Sequence, residues 1–293
     1  MYQPLSILIP THNTDCTALV SKLLTQAEAV EGLAYEIVVM DDGSTDDRVM
    51  EKNSTICKYK NCKVVRMEKS RNRSAMRNRL WKLARYDWQL QINANVSIQS
   101  EDFLLQYVSA IATDPSPRII YGGVNIVLPP DEVKGNLRCK YEMEFSKSLH
   151  KHRKGNYFRN TNTLYHKDIL RSVAYDESID GYGYEDVLFG KDLYEGKYNI
   201  VLMSNPVCYG TQDSNTLYLA KWEEALRTLH TLPQLEDYSP VRQTTSKLRR
   251  MHLLWMVKVW HRLFGNIEKR NLTGKSPSHL IFKIYKLGYY SLL

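Results

Sequence analysis

The stretch "EIVVMDDGSTD" (36–46) decides the fold. It is a continuous apolar run that ends in acids and a glycine turn, which reads as a buried strand and the loop that follows it. The flanking segments repeat the theme. "LSILIP" (5–10) is a short β run closed by proline, and "TALVSKLLTQAEAV" (17–30) spaces Leu19, Leu23, Ala27 and Val30 as a helix does. "CKVVRME" (62–68) is another strand, "SAMRNRLWKLA" (74–84) a helix with Met76, Leu80, Leu83 and Ala84 on one side, and "WQLQIN" (88–93) a strand. "SEDFLLQYVSAIA" (100–112) is a helix with Ser100 as the expected N-cap. Strands alternating with helices imply an α/β fold, a mostly parallel central sheet flanked by helices. In such sheets ligands bind beyond the carboxyl ends of the strands. Three strands end in polar residues suited to ligand binding, in "PTHN" (10–13), "DDGSTD" (41–46) and "NAN" (93–95).

The second half is less regular. "RIIYGGVNIVL" (118–128) reads as one long strand containing a glycine pair, and "NIVLMSNPVCYG" (199–210) is β-like. Helices are expected over 136–149, after the glycines of "GYGYEDVLFGKDLYEG" (181–196), and over 216–230. No repeat or low-complexity linker interrupts the chain.

At 293 residues, with 25% charged and 43% hydrophobic residues, the composition is that of an ordinary globular protein. "MYQPLSILIP" (1–10) has no basic n-region or cleavage site, so no signal peptide is expected. No apolar run approaches the roughly 20 residues that span a bilayer. Five scattered cysteines, an odd number, point to reduced thiols and a cytoplasmic location. Cys57 and Cys62 lack the second pair that a structural metal site would need. The net charge of +8 is local: residues 240–293 hold eleven Lys/Arg and one acid, Glu268, so the rest of the chain carries −2. A basic tail on a near-neutral body argues for a surface partner and against a nucleic-acid binder.

Taken in order, "PTHN", "DDGSTD", "RSAMRNR" (73–79), "NAN" and "GYGYEDVLFG" (181–190) resemble the signature of family 2 glycosyltransferases of the GT-A fold over residues 1–230. The tail, with "FKIYKLGYY" (282–290), looks like that of bacterial members that build surface polysaccharide. The resemblance implies a transferase domain over 1–235 and a basic amphipathic helical extension over 236–293. It implies an inverting enzyme that moves a sugar from a nucleoside-diphosphate donor to a glycan or lipid-linked glycan acceptor. Asp42 matches the family aspartate that accepts from the base. A carboxylate facing an imide N–H favours a uridine-type donor, although guanine also offers donors. Pro10, Thr11 and His12 match the stretch that lines base and ribose; the alternative for His12 is a surface loop histidine. Arg77 matches an arginine facing the nucleotide; the alternative is a solvated helix arginine. In "GYGYEDVLFG" the Glu-Asp pair works on the acceptor. Asp186 is the expected base, and Glu185 the group that holds acceptor hydroxyls or positions the base. Their alternative role is as first-turn acids favoured by the helix dipole.

One departure from the family is chemical. The Asp-x-Asp motif, whose carboxylates hold a divalent ion on the diphosphate, is here Asn93-Ala94-Asn95, and Tyr209 stands where a histidine ligand is common. Tyr184 also replaces a frequent histidine. Amide oxygens are neutral, weak ligands for a hard cation, so no metal is expected unless other ligands rebuild a site for Mn2+ or Mg2+. Two consequences stay open. An active enzyme would neutralise the leaving diphosphate with Arg71, Arg73, Arg77 or the basic run 150–159, including Arg153, Lys154 and Arg159. Alternatively, the protein is an inactive scaffold partnering another transferase.

Residues 247–264, plotted as a helix, put Lys247, Arg250, Lys258, His261 and Arg262 on one arc, with Trp255, Trp260, Leu263 and other apolar residues across the rest. This is the composition of an interfacial helix on an anionic membrane, here the inner face of the cytoplasmic membrane. The alternative is a helix packed on the catalytic domain.

Overall fold

β1 (Leu5–Thr11) is buried along its whole length, as befits a strand covered on both faces. It lies between β2 (Tyr35–Asp41) and β4 (Trp88–Ile92), parallel to both. The computed structural model describes residues 2–68, 72–149, 158–209 and 213–293. Beyond β2 comes β3 (Cys62–Arg66), and beyond β4 come β8 (Asn162–His166), β6 (Ile119–Tyr121) and β9 (Ile200–Leu202), giving the order β3-β2-β1-β4-β8-β6-β9. Within this sheet β8 runs antiparallel to both neighbours, and the other pairs are parallel. A second, three-stranded sheet is built from β5 (Val96–Ser97), β10 (Val207–Tyr209) and β7 (Val124–Ile126), in that order.

Side chains alternate across the strands. Ile7, Ile9, Ile37, Val39, Leu90 and Ile92 share a core with α1 (Thr17–Ala29) and α4 (Phe103–Thr113). On the other face lies α3 (Arg73–Leu83), whose Met76, Leu80 and Trp81 are buried. There the Trp81 indole donates to Gln91 Oε1 at 3.0 Å. α2 (Asp47–Ser54) follows the β2 loop, and α7 (Lys167–Ser172) follows β8.

Those strands and helices form one compact unit, Met1–Asn125, Arg159–Glu177 and Glu195–Gly210. The second unit, Ile126–Phe158, Ser178–Tyr194 and Thr211–Leu293, is helical. It holds α5 (Pro130–Gly135), α6 (Leu137–Leu149), α8 (Glu185–Glu195), α9 (Asn215–His230), α10 (Pro240–Arg250), α11 (Leu254–Thr273) and α12 (His279–Leu292). Helices on either side of residue 235 share cores: Leu226 and Leu229 of α9 meet Tyr290 of α12, and Leu219 meets Leu272 and Phe282.

Several expectations are corrected. Ser100 does not cap α4; Asp102 occupies the N-cap position and accepts from the Ser100 hydroxyl. The long strand over 118–128 is two strands in two sheets, parted at Gly122-Gly123. Residues 247–264 are not one helix. α10 ends in a Schellman turn: His252 has φ 58°, Leu253 N donates to Leu248 O at 2.9 Å and His252 N to Arg249 O at 3.1 Å. All five cysteines are free. Burial pushes the Cys16 thiol up to about 12 and those of Cys62 and Cys139 up to about 11, so they are poor nucleophiles.

Candidate active site

Thr11 and Asp41 end adjacent strands in register, and Asp42 N extends the ladder by donating to Thr11 O at 2.9 Å. The two loops therefore leave the sheet side by side, and Asn13 clasps them. With φ 48°, it turns its side-chain oxygen onto Thr45 N at 2.8 Å and Asp46 N at 3.0 Å, while its own N–H reaches Ser44 Oγ at 2.8 Å. Asp41 Oδ1 accepts from Ser44 N at 2.9 Å. His12 is fixed in one tautomer: Nδ1–H donates to Asp42 O at 2.9 Å, and Nε2 accepts from Asn13 Nδ2 at 3.2 Å. Pro10, Thr11, His12 and Asp42 thus meet at one rim, with Asp42 buried and His12 exposed. Asn13 and Ser44, which organise this rim, carry no more sequence signal than ordinary turn residues.

At the third strand tip, Asn93 follows β4; its N–H donates to Thr161 O at 3.0 Å and its Nδ2 reaches Thr161 Oγ1 at 3.5 Å. The same hydroxyl lies 3.1 Å from the Tyr209 phenol oxygen. Asn95 adjoins Val96, which pairs with Tyr209 across β5 and β10. Asn93 and Tyr209 therefore converge, joined through Thr161, a residue the motifs do not single out, and Asn95 stands one residue before the strand partner of Tyr209. Two amides, a phenol and a hydroxyl offer a divalent ion no anionic oxygen and no imidazole, so they do not fit the family's metal. Among the described residues no cluster of three or more His, Cys, Asp or Glu could hold a metal ion.

Of the expected diphosphate-binding cations, Arg159 lies two residues before Thr161, and Arg73 opens α3. Arg71, Arg153 and Lys154 lie outside the described residues. Arg77 is not a solvated helix arginine: it is 1% exposed, with its guanidinium 5.0 Å from the centre of the Tyr175 ring.

In the second unit, Glu185 and Asp186 form the first turn of α8. Glu185 is buried and Asp186 partly exposed. The turn before them is strained. Gly183 (φ 87°) approaches Ala225 so closely that a Cβ would lie 2.7 Å from the alanine methyl, and Tyr184 has φ 65°. Tyr182 N donates to Glu224 Oε1 at 3.2 Å, and Tyr182 O accepts from Thr228 Oγ1 at 3.1 Å. Burial pushes the Tyr184 hydroxyl far above its usual range. A left-handed tyrosine costs about 1–3 kcal/mol and persists only where its surroundings over-determine it.

Known structures share this architecture. TarS of S. aureus (residues 1–349) is 15% identical, with 98% of this chain and 89% of that chain covered and a TM-score of 0.54. The mannosyltransferase PcManGT from Pyrobaculum calidifontis, in complex with GDP-Man and Mn2+, is 12% identical over 100% and 86% of the two chains, with a TM-score of 0.58. Glucosyl-3-phosphoglycerate synthase from Mycobacterium tuberculosis is 15% identical over 78% and 79%, with a TM-score of 0.51. At these identities the likeness is one of fold. No curated protein matches the chain in sequence. The model of glycosyl transferase family 2 matches residues 6–174, more than half of the chain and all three strand tips at which Asp42, His12 and Asn93 stand; the chain belongs to that family and is a glycosyltransferase.

Proposed function

We propose that the chain transfers a sugar, with inversion, from a nucleoside-diphosphate donor to a glycan or lipid-linked glycan acceptor in polysaccharide assembly, and that cationic side chains replace the divalent ion. The observation that carries this is the Asn93–Thr161–Tyr209 junction, where neutral groups occupy the ion's expected place. Arg159, close by in sequence, and Arg73 are the described side chains proposed to hold the diphosphate. Pro10, Thr11, His12, Asp42 and Arg77 serve the nucleoside. TarS has been solved with UDP and with UDP-GlcNAc, which supports a nucleotide-sugar donor; the Asp42 carboxylate favours the uridine type.

In the reaction, Asp186 takes the proton of the acceptor hydroxyl. That oxygen attacks the anomeric carbon from the face opposite the diphosphate. The bond from carbon to the phosphate oxygen breaks, and the nucleoside diphosphate leaves with the electron pair, its charge met by arginine. Glu185 orients the acceptor.

Calorimetric titration with UDP-sugars and GDP-sugars tests the proposal. A UDP-sugar is expected to bind, and Asp42→Asn to weaken it about tenfold, because a charge-assisted hydrogen bond becomes a weaker neutral one. Failure of every nucleotide sugar to bind would overturn the donor assignment. Unchanged affinity in Asp42→Asn would remove Asp42 from it.

A further inference from the structure

An amphipathic helix on a globular domain ordinarily turns its apolar stripe inward. α11 does the reverse. Its buried side chains are His261, Glu268 and Leu272. Glu268 accepts from both His261 Nδ1, at 2.9 Å, and the Trp260 indole N–H, at 2.8 Å. The His261 ring packs beside Tyr285 of α12, and a Cβ at Gly288 would lie only 2.5 Å from it. The packing face thus includes this polar pair beside Leu272. Outward stand Trp255 (63% exposed), Met256 (52%), Val259 (43%), Trp260 (49%), Leu263 (67%) and Ile267 (64%). Helix geometry gathers these on one arc, with Arg262 and Lys269 on the flank between it and the buried arc.

We infer that this face of α11 seats on an anionic lipid surface. Charge decides the occupant. The one acid of residues 240–293 is Glu268, which is buried, so the exposed surface of the tail carries no side-chain carboxylate. Lys247, Arg249, Arg250, Arg262, Lys269 and Arg270 are exposed. A second copy would bring the same sign of charge to the face. An anionic bilayer supplies hydrocarbon for the tryptophans and leucines and, at the depth of the flanking arginines, negative headgroups. The Glu268 contact anchors the indole N–H of Trp260 inward and holds its ring outward. No helix of the described residues is long and apolar enough to cross a membrane, so α11 lies on the surface.

Deleting residues 240–293 would not test this, because Phe282, Tyr285 and Tyr290 of α12 complete the cores around α9. The full chain is instead cosedimented with vesicles of phosphatidylcholine containing about one-third phosphatidylglycerol. It is expected to bind these vesicles, and to bind less at raised salt or on phosphatidylcholine alone. Trp255→Ser/Leu263→Ser, two exposed positions, should lower the partition coefficient about tenfold or more. Leu105→Ser, exposed on α4, should not change it. Absence of wild-type binding, or equal binding by the double variant, overturns the assignment. So does a dimer in sedimentation velocity that the double variant abolishes while vesicle binding is absent; the face then belongs to a second copy. No donor is present in this assay, so its outcome is independent of the donor-site proposal.

Discussion

Replacing Asp186 with asparagine is expected to lower turnover by about 10²–10⁴-fold, the usual contribution of a general base, while donor affinity and fold are retained. Asp186 stands in the first turn of α8, behind a backbone held at positive φ at Gly183 and Tyr184. At Tyr184, though not at the glycine, this conformation is costly, and here the packing of the preceding turn against α9 maintains it. Asparagine keeps the shape of aspartate but cannot take the acceptor proton. Loss of an acid from the helix N-terminus costs about 0.3–1 kcal/mol, so the melting temperature should fall only slightly. The measurement is nucleoside-diphosphate release from the donor that titration identifies. Undiminished release by Asp186→Asn would assign the base elsewhere.

Gly122→Ala is expected to destabilise the protein by roughly 3–5 kcal/mol, from overpacking plus broken buried hydrogen bonds. A Cβ there would lie 2.1 Å from the Tyr107 hydroxyl, 2.6 Å from Asn162 Nδ2 and 2.7 Å from Asn205 O. These atoms cannot retreat independently. The Tyr107 hydroxyl donates to Asn162 Oδ1 at 2.7 Å, and Asn162 Nδ2 donates to Asn205 O at 2.8 Å and Gly123 O at 3.0 Å. The same network fastens β8 to the turn between β6 and β7, so its loss would also disturb Thr161, one residue before β8. Urea unfolding measures the effect; a change below about 1 kcal/mol would mean that the network yields more readily than its burial implies.

The parallel half of the sheet is legible in sequence because strands buried on both faces are continuous apolar runs, as in Ile37–Met40. The rim residues His12 and Asp42 are legible because they end such runs. β8 is not: it is a five-residue antiparallel insertion that opens with Asn162 and Thr163 and carries no turn signal of its own. Thr161 is hidden for a related reason. Its hydroxyl joins Asn93 and Tyr209, which lie 68 and 48 residues away in the chain, and no local pattern reports that. The turn at His252 lacks the glycine that usually marks a left-handed helix end. α11 misleads a wheel projection because His261 and Glu268, two turns apart, satisfy each other in the interior. A buried pair of this kind has the same spelling as a solvated one.

The central claim is that arginine side chains, without a divalent ion, hold the donor diphosphate. Titration of a UDP-sugar in excess EDTA and again in Mn2+ tests it most directly. Dissociation constants equal within about twofold are predicted for the two conditions. Binding that appears only with Mn2+, and vanishes on chelation, would contradict the claim.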